Sequence, residues 1–70
     1  MTELLFIVQE DEQGLHARAA DYSIFAEADT LVHLRDEVRD AINCHFEDPA
    51  ARPAFAWLHF VKEEVIPLGQ

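Results

Sequence analysis

Asp29 and Thr30 stand directly before an apolar stripe that begins at Leu31, and this junction dictates how the flanking segments can be arranged. A side-chain oxygen at such a place accepts from the free amides of a first helical turn. Ahead of it, Ser23-Ile24-Phe25-Ala26 is a short apolar run with the character of a strand, expected over about Ile24 to Glu27. Behind it, Leu31, Leu34, Val38, Ala41, Ile42 and His45 fall on one face of a helix of about four turns that reaches Phe46. Asp36, Asp40, Asn43 and Glu47 lie opposite, bordered by Arg35 and Arg39. Exposed ion pairs of these arginines with Asp36 are each worth less than ~1 kcal/mol, so this face is read as solubility and partner contact.

The remaining segments arrange themselves around that switch. Leu4 to Val8 is apolar on both faces and predicts a central strand. The charged stretch Glu10-Asp11-Glu12-Gln13 interrupts it, and Gly14 supplies the positive φ that a hairpin connection needs. Leu15 to Ala20 is the returning strand, its small Ala17 and Ala19 alternating with His16 and Arg18. Asp21-Tyr22 makes a short turn into the third strand. Asp48-Pro49 ends the helix, and a loop through Pro53 leads to a last strand over Phe55 to Val61. The order predicts an α+β fold, β-β-β-α-β, with a small, mainly antiparallel sheet of three or four strands and one helix packed on one face.

The last strand raises the question of association. Phe55, Trp57, His59 and Val61 share one of its faces, and Ala56, Leu58 and Phe60 the other. One face meets the helix. The other is more aromatic than a free sheet face needs to be, and either a partner covers it or the tail Lys62 to Leu68 folds back over it. A 70-residue chain buries only roughly 60% of its unfolded surface, which adds weight to self-association or a covering partner.

Charge narrows the partner. A net charge of -9, with Arg18, Arg35, Arg39, Arg52 and Lys62 as the only strongly basic side chains, argues against binding a phosphate backbone and favours a basic protein. The single cysteine, Cys44, excludes an internal disulfide and suits a reducing cytoplasm. The longest apolar run is too short to span a membrane.

Catalytic chemistry finds little support in the spacing. The four histidines, His16, His33, His45 and His59, are expected on separate elements, and no His-x-x-x-His or Cys-x-x-Cys pair occurs. His45, on the apolar stripe, is expected to be a packed histidine with one hydrogen bond. Cys44 sits late in the helix, away from the positive end that would activate it. Ser23 has no glycine-flanked elbow, and no glycine-rich phosphate loop exists. A two-metal nuclease would need converging carboxylates. Asp21, Glu27 and Asp29 are near one another in sequence, but Asp29 is better explained as a helix cap. No metal and no cofactor is expected.

The segment Gly14-Leu15-His16-Ala17-Arg18-Ala19, followed by Phe25-Ala26-Glu27-Ala28-Asp29-Thr30-Leu31 and the helix, resembles the HicB-type antitoxin domain over most of the chain. In that family a glycine-led strand precedes one ending in glycine-aspartate-threonine, whose threonine opens the only large helix. Here Ala28 replaces that glycine, so the turn is expected to avoid positive φ. The resemblance implies a single HicB-like domain over residues 1–70, similar to a trimmed RNase H fold without its catalytic residues; many full-length members add a helix-turn-helix or ribbon-helix-helix tail, a departure here that leaves no separate DNA-binding domain expected and operator binding not carried over. It implies a non-enzymatic cytoplasmic protein that neutralises a small, basic, mRNA-cleaving HicA-type toxin. Charge complementarity speeds association with such a partner. The expected contact residues are Asp36, Asp40, Glu47, Phe55, Trp57 and His59. The alternative is a homodimeric accessory domain that docks on an enzyme or another protein through its apolar sheet face.

Overall fold

The computed structural model describes residues 2–69. Strands β1 (Glu3–Asp11), β2 (Gly14–Ala19) and β3 (Phe25–Ala28) are followed by helix α1 (Leu31–His45), a 3₁₀ turn (Pro49–Ala51) and strand β4 (Phe55–Val61). The four strands form one sheet in the order β3-β2-β1-β4, and α1 packs against it, chiefly over β3 and β2. The α+β, β-β-β-α-β architecture read from the sequence is the observed one.

Alternation sets the two faces of the sheet. Leu4, Phe6 and Val8 of β1, Ala17 and Ala19 of β2 and Ala26 of β3 are buried together with Ile24 and with Leu34, Val38 and Ile42 of α1. The alanines are small because the helix lies directly above them, where a larger side chain would push it off the sheet. Phe6, which is fully buried, stands beside Ala19 on one side and Leu58 on the other.

The element ends differ from the sequence reading in instructive ways. β1 runs on to Asp11, and only Glu12 and Gln13 form the turn, because Asp11 pairs with Gly14 and accepts from the Gln13 amide at 2.8 Å. Gly14 has φ +126°, as a tight connection there requires. β3 starts one residue late, at Phe25: Ile24 is instead buried ahead of it, its carbonyl accepting from Ala19 N at 3.0 Å. Thr30 alone is the N-cap of α1, its Oγ1 accepting from His33 N at 3.2 Å, whereas Asp29 takes no part in the cap. Among the described residues no non-glycine residue has positive φ, so Ala28 passes into the helix without left-handed backbone.

The helix stops at His45, and Phe46 closes it by donating its amide to Ile42 O. His45 is exposed and packs edge-on against Tyr22 and Phe46, with ring centroids 5.7 and 4.8 Å away, so it is not the hydrogen-bonded core histidine expected. His33 and His45 share α1, contrary to the expectation of separate elements, but twelve residues apart they are about 18 Å from each other along its axis. Arg52 holds the connection to β4: Nε donates to Phe46 O at 2.8 Å and a terminal nitrogen to Asn43 O at 3.3 Å, placing a cation on the carbonyl end of the helix.

β4 has the predicted bounds and lies parallel to β1, from Glu3 opposite Phe55 to Gln9 opposite Val61. Two of the three pairings remain antiparallel. β4 is an edge strand, and beyond it the tail does not fold back over either face. Val65 and Leu68 are 91% and 81% exposed. The radius of gyration is 14.5 Å, against ~11 Å for a compact chain of this length, and the longest extent is 57 Å. No helix among the described residues is long and apolar enough to cross a membrane.

Candidate functional site

Two surfaces carry the chemistry that a partner could recognise. The first is the sheet face away from α1. Pairing lines up Phe25, Arg18, Ile7 and His59 in one row across the four strands, and Leu5 beside Trp57 in the next. Leu5, Phe25, Phe55 and Trp57 are all exposed there, Trp57 by 58%. The Trp57 ring is fixed at both ends: Nε1 donates to Glu3 Oε2 at 2.9 Å, and Phe55 lies edge-on with centroids 6.1 Å apart. A pre-ordered aromatic of this kind loses little rotamer freedom when a partner closes over it.

Beside this apolar area sits a polar group. His16 lies between Asp11 Oδ1, 3.1 Å from Nε2, and Glu27 Oε2, 3.4 Å from Nδ1. The Gln13 amide, and after it the His16 ring, hold the Asp11 carboxyl below the usual carboxylate value. Both contacts are exposed and span only the β1–β2–β3 ends. Their role is local, keeping the hairpin turn in place.

The second surface is a groove of about 370 Å³ on the helix side. α1 covers β3 and β2, which leaves Ala56 and Leu58 of β4 half-buried beside Val38 and Ile42. Arg35, Arg39 and Arg52 line the rim of this groove. Three of the five strongly basic residues of a chain with net charge -9 thus face one apolar depression. The sequence reading missed it because Arg35 and Arg39 were assigned to the edge of the acidic face. The available signal was their spacing, four residues apart and each three residues before a stripe residue, Val38 and Ile42.

The six expected contact residues are all exposed but do not form one patch. Phe55, Trp57 and His59 belong to the outer sheet face. Asp36 and Asp40 stand on the solvent side of α1, across the sheet from them, with Arg39 3.3 Å from Asp36. Glu47 lies beyond the end of the helix rather than on it. A single rigid partner would therefore meet either the acidic set or the aromatic set. Among the described residues, no group of three or more His, Cys, Asp or Glu is placed to hold a metal ion.

No family model matches the chain. No solved structure matches it. A UPF0150 protein of Archaeoglobus fulgidus is 44% identical over 45 residues, which cover 64% of this chain and 68% of the relative. A UPF0150 protein of Thermotoga maritima is 37% identical over 65 residues, 91% of this chain and 90% of the relative. With that identity sustained over nearly the full length of both, the chain belongs to the UPF0150 family.

Proposed function

We propose that this chain is a non-enzymatic, acidic interaction domain of HicB antitoxin type that binds and neutralises a small, basic, mRNA-cleaving HicA-type toxin. The observation that carries this reading is the outer sheet face, where Leu5, Phe25, Phe55 and Trp57 are exposed on a protein of net charge -9. An exposed apolar face on an acidic protein suits a basic partner: charge steers the encounter, and aromatic burial holds the complex. The half-occupied resemblance at Gly14–Ala19 and Asp29-Thr30-Leu31 adds support, since the glycine turn and the threonine cap are both in place.

The test is to look for a small basic chain encoded beside this gene and to measure co-purification and RNase inhibition with it; a neighbourhood without one counts against the reading. Trp57 is the only tryptophan, so its fluorescence reports contact directly. A 1:1 or 2:2 complex that quenches RNA cleavage and is weakened at least tenfold by Trp57→Asp is the expected result. Full cleavage in the presence of excess chain would refute the proposal. The same exposed face also favours a second reading, a homodimeric accessory domain that docks on another protein through it; this reading is preferred if Trp57→Asp disrupts self-association and no toxin is bound.

A further inference from the structure

The residues after β4 are the part of the molecule that the fold leaves unexplained. Lys62 to Gly69 forms no strand or helix and extends away from the domain. Its sequence, Lys-Glu-Glu-Val-Ile-Pro-Leu-Gly, places two acidic side chains immediately before Val65, Ile66 and Leu68. All three apolar side chains are exposed to water, an arrangement that a covering surface would relieve. The groove between α1 and β4 presents the complementary chemistry: an apolar lining of Val38, Ile42, Ala56 and Leu58 with Arg35, Arg39 and Arg52 beside it, of which Arg39 also contacts Asp36 and Arg52 the helix-end carbonyls. One surface of the chain thus carries the counterpart of another.

The open edge of β4 determines how the two meet. Of the two sheet edges, β3 is short, with four residues, and carries Glu27 in its middle; β4 is seven residues long and contains no charged residue and no proline. Folded proteins cover or interrupt edges of the second kind. If two β4 strands pair antiparallel about a two-fold axis, Val61 of one lies beside Phe55 of the other. The arm of the first copy, which starts at Lys62, then emerges next to Arg52, Pro53 and Ala54 of the second, at one end of the basic groove. The arm reverses there to run back along the partner's β4, and the six residues from Glu64 to Gly69 reach up to ~20 Å, enough to span Phe55 to Leu58 in the groove. The same operation delivers the other arm to the first groove.

We infer that two copies of this chain join through their β4 edges into one continuous eight-stranded sheet, and that each copy's Lys62–Gly69 arm lies in the α1–β4 groove of the other. Glu63 and Glu64 meet the arginines, and Val65, Ile66 and Leu68 cover the apolar lining. This pairing uses the helix side and the sheet edge; it sets Trp57 of one copy beside His59 of the other at the seam but leaves the outer face uncovered, so it does not depend on the toxin-binding proposal.

Sedimentation equilibrium on the full chain tests it, with the dissociation constant measured for wild type, Ile66→Asp, Arg35→Glu, Glu64→Arg and the Arg35→Glu/Glu64→Arg pair. Wild type is expected at about twice the 8.0 kDa protomer mass. Ile66→Asp, Arg35→Glu and Glu64→Arg should each raise the dissociation constant at least tenfold, and the double charge reversal should recover most of that loss. The arm is exposed in the protomer, so Ile66→Asp should leave the far-ultraviolet circular dichroism and urea midpoint of the isolated protomer unchanged. A wild type that stays monomeric at 0.5 mM (about a hundredfold above ordinary working concentrations) overturns the inference. So does a dimer that is indifferent to Ile66→Asp, or one broken by Phe25→Asp on the far edge strand β3.

Discussion

Gly14→Ala should be among the most damaging single-atom additions this chain can suffer, although Gly14 lies in a hairpin at the surface. Two costs combine. At φ +126° an L-residue is confined to backbone space that essentially only glycine occupies, a penalty of roughly 1–3 kcal/mol. The new Cβ would stand 2.6 Å from the carbonyl oxygen of Ala28, with the Ala28 carbonyl carbon at 3.4 Å. That oxygen is backbone and cannot swing aside. Relief requires β2 to move from β3 at the Leu15–Ala28 pairing, two residues before the Thr30 cap, and overpacking of this sort costs about 1–3 kcal/mol more. The sum, about 2–6 kcal/mol, compares with a whole-domain stability of roughly 4–10 kcal/mol at this length. At 4–8 °C per kcal/mol, the thermal midpoint should fall by about 10–50 °C. Thermal and urea unfolding followed by circular dichroism, at matched protein concentration, would measure it. Gln13→Ala, in the same turn, is the control, because only the exposed side chain changes and the Gln13 amide still reaches Asp11; it should shift stability by less than ~0.5 kcal/mol. A Gly14→Ala protein within ~1 kcal/mol of wild type would refute both the positive φ and the close approach to Ala28.

Thr30→Ala should cost about 1 kcal/mol, because the His33 amide loses its acceptor, while Thr30→Ser retains most of the stability and neither variant changes which partner is selected; urea midpoints and partner binding check the two halves separately. Asp11→Ala should show a pH-dependent loss. The Asp11 carboxyl titrates lower in the folded than in the unfolded chain, so its contribution is fully present above the unfolded value and disappears as pH falls through the lowered folded one. The stability gap between wild type and Asp11→Ala should therefore be constant near neutrality and close below the ordinary carboxylate range, as followed by urea midpoints from pH 7 to pH 2.5. A gap that widens on acidification would show that Asp11 is not stabilised in its charged form.

Local features were the most legible in the chain. Thr30 before Leu31, Gly14 after a charged turn and the alternation of Phe55 to Val61 each depend on a few neighbours, and each predicted its element to within a few residues. What the sequence hid was set by distant partners. β4 is apolar on both faces, as a central strand would be, yet it lies at an edge, because its position depends on the path of the whole helix back across the sheet. The basic groove was invisible for the same reason: Arg52 is assigned to it by capping the carbonyls of Asn43 and Phe46, a contact between segments six to nine residues apart. His45 follows the stripe period, but the helix ends there, and a residue at a helix end has only Tyr22 and Phe46 to pack against. Of the candidate site, the exposure of the six residues was readable and their division between two sides of the molecule was not, since it needs the knowledge of which face of β4 turns toward α1.

The parallel pairing of β1 with β4 also governs the time at which the sheet is completed. The β1–β2 turn closes across two residues, whereas Phe55 meets Glu3 only after some fifty residues have intervened, at an added chain-entropy cost of about 2 kcal/mol. β1 to α1 can therefore assemble first, with β4 joining at the end. At a synthesis rate of roughly 5–20 residues per second, the side of β1 that β4 will occupy stays unpaired on the ribosome for about 3–10 s. Leu4 to Val8 spends that interval as a naked strand border, and neighbouring nascent copies on one messenger meet it before the chain's own last strand does.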